Sequence, residues 1–264
     1  MLTRGQLEDL ALLHMVAEEF AAEVAIIGAA ALLCFLELGR FTRDLDLAVA
    51  LDLEDFAVFS AQLSERGWTR EPRTEHRWRG PGGSLMDLIP AGPNLRAARR
   101  TVWPESRFAM SLVGFHHVFA RALPFPFAPG VQYRVAPPSV IALLKTVSYM
   151  DDPHGRQKDL TDLRTLFRRY EEASERIFGD DVFAAELEDI EYANALLLGM
   201  DVGALATDEE VEIVKAFLGD QIVSAEELLE LERDDVQQRE ALRFQQQLRA
   251  FRKGLERSRN LGTR

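Results

Sequence analysis

From Leu7 to Phe20 the apolar residues recur at helical spacing, which predicts a first helix. The pattern then changes: Glu23-Val24-Ala25-Ile26-Ile27-Gly28 reads as a short buried strand, and Ala29 to Glu37 as the helix that leaves it. Asp44-Leu45-Asp46-Leu47 alternates polar and apolar positions, the period of a strand with one face in the core. Leu53 to Arg66 returns to a helical pattern closed by Gly67. Trp68 to Trp78 reads as extended, and Gly80-Pro81-Gly82-Gly83 turns the chain into a further buried strand, Ser84 to Ile89. Residues 105–135, rich in aromatic and β-branched side chains but interrupted by Pro124, Pro126 and Pro129, predict irregular β-structure.

After Pro137-Pro138 the pattern is helical, with helices expected near 138–150, 157–170, 181–198, 208–219 and 224–257. The breaks fall at Asp152-Pro153-His154-Gly155, Gly179-Asp180, Gly199 and Gly219. This order predicts an α+β protein: a mixed sheet flanked by helices over residues 1–136, then a helical domain over residues 137–264.

The chemistry concentrates at the strands. Asp44 and Asp46 are separated by one leucine, so a strand sends both carboxylates to one face while Leu45 points to the core. Two carboxylates side by side repel unless a cation or donors compensate them, so they are candidate metal ligands. Asp87, embedded among Leu85, Met86, Leu88 and Ile89, is a third candidate, because an ionised carboxylate in such surroundings needs a partner. Gly28-Ala29-Ala30 stands where strand gives way to helix, and the amides of a helix N-terminus suit a phosphate. Arg40 and Thr42 occupy alternate positions just before the aspartates and either line the same site or belong to an ordinary surface loop.

Composition adds bounds. The 264 residues suffice for one large or two modest domains, and no run approaches the ~20 apolar residues of a membrane span. With no secretory-type leader, a cytoplasmic protein is expected. The single cysteine, Cys34, lies in an apolar helical run and is expected in the core. The net charge of −12 is unevenly placed: residues 1–170 carry 20 acidic and 20 basic side chains, whereas residues 171–240 carry 22 acidic and 4 basic. An acidic block of that kind disfavours broad nucleic-acid binding there, although Arg96, Arg99, Arg100 and Arg107 would offer a basic surface if the fold clustered them.

The constellation of Gly28, Asp44, Asp46 and Asp87 resembles the nucleotidyltransferases of the DNA polymerase beta superfamily. More narrowly, Arg40-x-Thr42-x-Asp44-Leu45-Asp46, the later Lys145, and Lys158-Asp159-Leu160-x-Asp162-Leu163 resemble the AbiEii type, toxins of bacterial type IV toxin–antitoxin and abortive-infection systems, over roughly residues 20–170. Ala29 stands where that family has Gly or Ser. The resemblance implies transfer of a nucleoside monophosphate from an NTP, with Mg²⁺ or Mn²⁺ on Asp44, Asp46 and Asp87. It implies nucleotide contacts from Gly28, Ala29, Ala30, Arg40 and Thr42, and active-site roles for Lys145 and Asp159. From the residues alone, Lys145 reads as a lysine reaching out to water and Asp159 equally as a first-turn helix cap. The implied acceptor is RNA, such as a tRNA 3′ end, or a protein hydroxyl, with a cognate antitoxin as partner. Two other readings stand beside it: a catalytically silent binding module, motivated by Ala29, and a small-molecule nucleotidyltransferase of the aminoglycoside-modifying kind, for which the acidic helices would attract a cationic substrate.

Overall fold

A computed structural model describes residues 2–36, 42–224 and 236–261. The chain divides into two compact units, Met1–Ile141 and Ala142–Arg264.

In the first unit, helix α1 (Arg4–Glu19) opens with a capping box between Thr3 and Gln6. Strand β1 (Val24–Ile27) runs directly into α2 (Gly28–Phe35), then β2 (Asp44–Val49), α3 (Leu53–Glu65), β3 (Thr69–Arg70), β4 (Arg77–Arg79) and β5 (Leu85–Pro90). Next come α4 (Pro93–Ala98), the small hairpin β6 (Arg100–Val102) and β7 (Ala109–Ser111), α5 (Phe115–Arg121), and strands β8 (Leu123–Ala128) and β9 (Val131–Val135). Seven strands make a mixed sheet in the order β3-β4-β5-β2-β1-β9-β8, with β1 antiparallel to β2 and parallel to β9, and β2 parallel to β5. The α+β architecture with a helix-flanked mixed sheet is as the pattern predicts.

The register sorts the side chains. Trp78 pairs with Met86 and Met86 with Leu45, and all three are buried. On the opposite face Arg77 pairs with Asp87, Asp87 with Asp46, and Asp46 with Ile27. One face of the central strands is therefore core and the other carries the charged row. Edge strand β8 keeps Pro124 and Pro126, which a central strand could not accommodate. Cys34 is half-buried, and burial pushes its thiol up to about 11, so it stays protonated at neutral pH.

Two expectations in this unit are corrected. Phe115–Arg121 is a helix, not β-structure: Gly114 turns the chain with a φ of 85°, and Phe115, His117, Val118 and Phe119 are all buried. The stretch from Trp68 to Trp78 is not continuous strand, because residues 71–76 form turns between β3 and β4.

In the second unit, α6 (Pro138–Asp151) crosses the division, and α7 (Gln157–Arg169), α8 (Asp180–Phe183), α9 (Ala193–Leu205), α10 (Asp208–Gln221) and α11 (Val236–Leu261) follow. The single helix expected at 181–198 is instead α8, a short 3₁₀ turn at Ile190–Tyr192, and α9, which continues through Gly199. Gly199 does not end the helix; it lets α11 approach, since a Cβ there would lie 2.0 Å from the Phe251 carbonyl oxygen. Likewise α10 runs through Gly219; residue 224, where the last helix is expected to begin, is not helical, and residues 225–235 lie outside the described residues.

Candidate active site

Asp44 and Asp46 project from β2 with Leu45 and Leu47 fully buried between and beyond them. Asp87, directly beside Asp46 on β5, joins them on the same face. The three carboxylates meet a cation that sequence reasoning missed. Arg77 on β4 donates from Nε to one Asp87 oxygen and from Nη2 to the other, each at 2.8 Å, and reaches Asp44 Oδ2 at 3.4 Å. The two-pronged bond to Asp87 raises the guanidinium's pKa; burial opposes this, and the charges of Asp87, Asp44 and Asp46 add to it. The signal for Arg77 was the hairpin itself: an arginine on the strand before Gly80-Pro81-Gly82-Gly83 can face a residue on the strand after it.

Gly28 closes the site from the side of β1. Its φ is 65°, and a Cβ on it would lie 2.0 Å from Asp46 Oδ2, so only glycine fits here. Helix α2 begins at that residue, and among the described residues no side chain caps it. The helix thus opens at Gly28 against the Asp46 carboxylate, while the Ala30 side chain is core. Thr42 sends its hydroxyl to the Asp44 carbonyl oxygen at 2.8 Å, fixing the entry to β2. Arg40 lies outside the described residues.

Asp9 was also missed. Fully buried on α1, it accepts from the Gly82 amide at 2.7 Å and from both the amide and hydroxyl of Ser84. This carboxylate anchors the turn between β4 and β5, and with it the register that sets Arg77 against Asp87.

Lys145 and Asp159 come together in the second unit. Lys145 Nζ on α6 lies 2.9 Å from Asp159 Oδ1 and 2.7 Å from Asp162 Oδ2, both on α7. It does not reach out to water. Burial works against its charge, but the two aspartates outweigh that and raise its pKa. Asp162, part of the sequence pattern but given no role, is an equal member of this cluster.

Three carboxylates on one sheet face that already draw in a guanidinium offer oxygen donors of the kind a hard divalent cation prefers, although they are not gathered around one point as a ligand set would be. A groove of about 760 Å³ opens elsewhere in the unit, lined by His14, Pro124, Pro126, Phe127 and Tyr133 among others. It has no carboxylate in its lining and is not the site of this chemistry.

No family model matches the chain, and no curated protein sequence does. Among solved structures it is similar to an antigenic nucleotidyltransferase-like protein from Paracoccidioides brasiliensis, at 19% identity and a TM-score of 0.39 over 59% of this chain and 72% of that one. It is also similar to JHP933 from Helicobacter pylori, at 17% identity and a TM-score of 0.39 over 100% and 99%. A third is a CCA-adding enzyme in complex with ATP, at 14% identity and a TM-score of 0.31 over 87% and 57%. Nucleotidyltransferase-like proteins are thus among the structures this chain is similar to, and its activity has to be read from its own residues.

Proposed function

We propose that the first unit transfers a nucleoside monophosphate from an NTP to a hydroxyl acceptor. The observation that carries this is the placement of Asp44, Asp46 and Asp87 on one sheet face, with Gly28 and the uncapped start of α2 against Asp46. Asp44, Asp46 and Asp87 would hold Mg²⁺ or Mn²⁺, and the bound cation would neutralise charge on the transferred phosphoryl group. The amides of Gly28, Ala29 and Ala30 accommodate phosphate oxygens at the positive end of α2. Asp87, once its oxygens are released from Arg77, would orient the acceptor hydroxyl and take up its proton as the oxygen attacks the α-phosphorus and pyrophosphate leaves. Thr42 holds the Asp44 backbone in place during this exchange. No step is assigned to Lys145 or Asp159, whose charged atoms are engaged with each other and with Asp162.

For the acceptor, the run from Arg40 to Asp46 and its AbiEii-like spacing support an RNA end such as a tRNA 3′ terminus, or a protein hydroxyl, with growth inhibition as the outcome and an antitoxin as partner. A second reading, a silent binding module, is favoured by Ala29 and by the hold of Arg77 on Asp87. The deciding experiment incubates the protein with Mg²⁺ or Mn²⁺ and each α-labelled NTP, offering total tRNA, lysate protein and the protein itself as acceptors. Label in one fraction with the wild type and none with Asp44→Asn or Asp46→Asn supports transfer and identifies the acceptor class. No label in any fraction, with no NTP bound, leaves the silent module.

A further inference from the structure

We propose that Arg77 is a resident counter-cation of the carboxylate site with which a divalent ion must compete for Asp87, so that Arg77 sets how tightly metal is held. This rests on the reading of Asp44, Asp46 and Asp87 as metal ligands.

The geometry makes the competition direct. Both oxygens of Asp87 are taken by the guanidinium at 2.8 Å, and the same Nη2 reaches Asp44 at 3.4 Å, so the arginine draws on two of the three ligands at once. Charge states the same point: three carboxylates and one guanidinium sum to −2, and without Arg77 the row would stand at −3. A cation that enters must either share Asp87 with the arginine or turn it out. Turning it out is feasible, because about a third of the Arg77 side chain is exposed and β4 is only three residues long. The hairpin does not depend on the ion pair: its turn is tied to α1 through Asp9, and its strands through backbone pairing. Arg77 is therefore a positioning residue that tunes the site; its removal leaves the largely buried Asp87 without its guanidinium, while the backbone pairing and the Asp9 contacts of the hairpin remain.

The test is Mn²⁺ binding without nucleotide, by calorimetry and by the electron paramagnetic resonance of free ion, in the wild type, Arg77→Met and Arg77→Lys. Thermal melting confirms that each is folded, and Asp44→Asn and Asp46→Asn confirm where the ion sits. Arg77→Met should bind at least about tenfold more tightly than the wild type, a gain of about 1.4 kcal/mol. Arg77→Lys, which keeps the charge but loses the two-pronged bond, should fall between and carries the test if the methionine variant does not fold. Equal affinities in all three would overturn the competition and leave the carboxylates as a metal site. Weaker binding in Arg77→Met would overturn it too, making the arginine a support that holds Asp87 ready for the ion. No Mn²⁺ bound by any of them would remove both the competition and the metal-site reading.

Discussion

Two clusters of opposite charges, one in each unit, are built for different ends. On the sheet, three carboxylates face one guanidinium, and the side chains of Asp44, Arg77 and Asp87 are 44%, 35% and 11% exposed. Between α6 and α7, two carboxylates face one ammonium, and the side chains of Lys145, Asp159 and Asp162 are 10%, 13% and 8% exposed. An open cluster with surplus negative charge can exchange its cation with solvent. A closed one cannot, because removing the lysine would strand two buried carboxylates. The sheet cluster is thus suited to binding and chemistry, and the helical cluster to holding two helices together.

Substitution should separate them sharply. Replacing Asp44 and Asp46 together by Asn should lower nucleotidyl transfer by at least about a thousandfold, an effect of about 4 kcal/mol on the barrier. The melting temperature should hold or rise, since the change relieves repulsion along the strand. Lys145→Met should do the reverse to its cluster and cost about 3–5 kcal/mol of stability, read by urea unfolding. A methionine variant as stable as the wild type would mean that the helical cluster is as replaceable as the open one, and the comparison would fail.

The two clusters were not equally legible in the sequence. Asp44, Asp46 and Asp87 could be found because strand alternation fixes the face of a carboxylate flanked by leucines, whatever the partner strand. Arg77 could be placed only as far as a strand facing that of Asp87, because its place opposite Asp87 depends on a hairpin register set by a three-residue strand and by Asp9, a contact made 73 residues away in the chain. The pairing of Lys145 with Asp159 and Asp162 likewise needed the crossing of α6 and α7, which periodicity does not give. Helix α5 was hidden by its own burial: Phe115-His116-His117-Val118-Phe119 has apolar neighbours at too many positions to show a helical stripe. Gly199 shows the limit of breaker residues as signals, for there glycine serves a close helix contact and not a helix end.

That contact provides a test of rigidity in the second unit apart from its ions. Gly199→Ala would set a methyl against the backbone of α11, where no side chain can give way, and should cost about 1–3 kcal/mol. Gly219, with open space about it, should accept alanine with no loss, and if anything a gain in helix propensity. Equal costs at the two sites would show that α9 and α11 part more easily than their packing implies.

The smallest effect expected is at Thr42, and it bears on how the open cluster is kept in order. Its hydroxyl donates to the Asp44 carbonyl at 2.8 Å from a half-buried position, so Thr42→Val removes one hydrogen bond that water can partly replace. The stability loss should be about 0.5–1.5 kcal/mol. If the hydroxyl acts as a clip on the strand, looser placement of Asp44 should lower kcat a few-fold with KM for the NTP little changed, and Thr42→Ser should restore it. A phosphate contact from the same hydroxyl would give the opposite split, a raised KM at constant kcat. The steady-state constants of Thr42→Val and Thr42→Ser therefore decide whether Thr42 belongs to the scaffold of the open cluster or to its ligand.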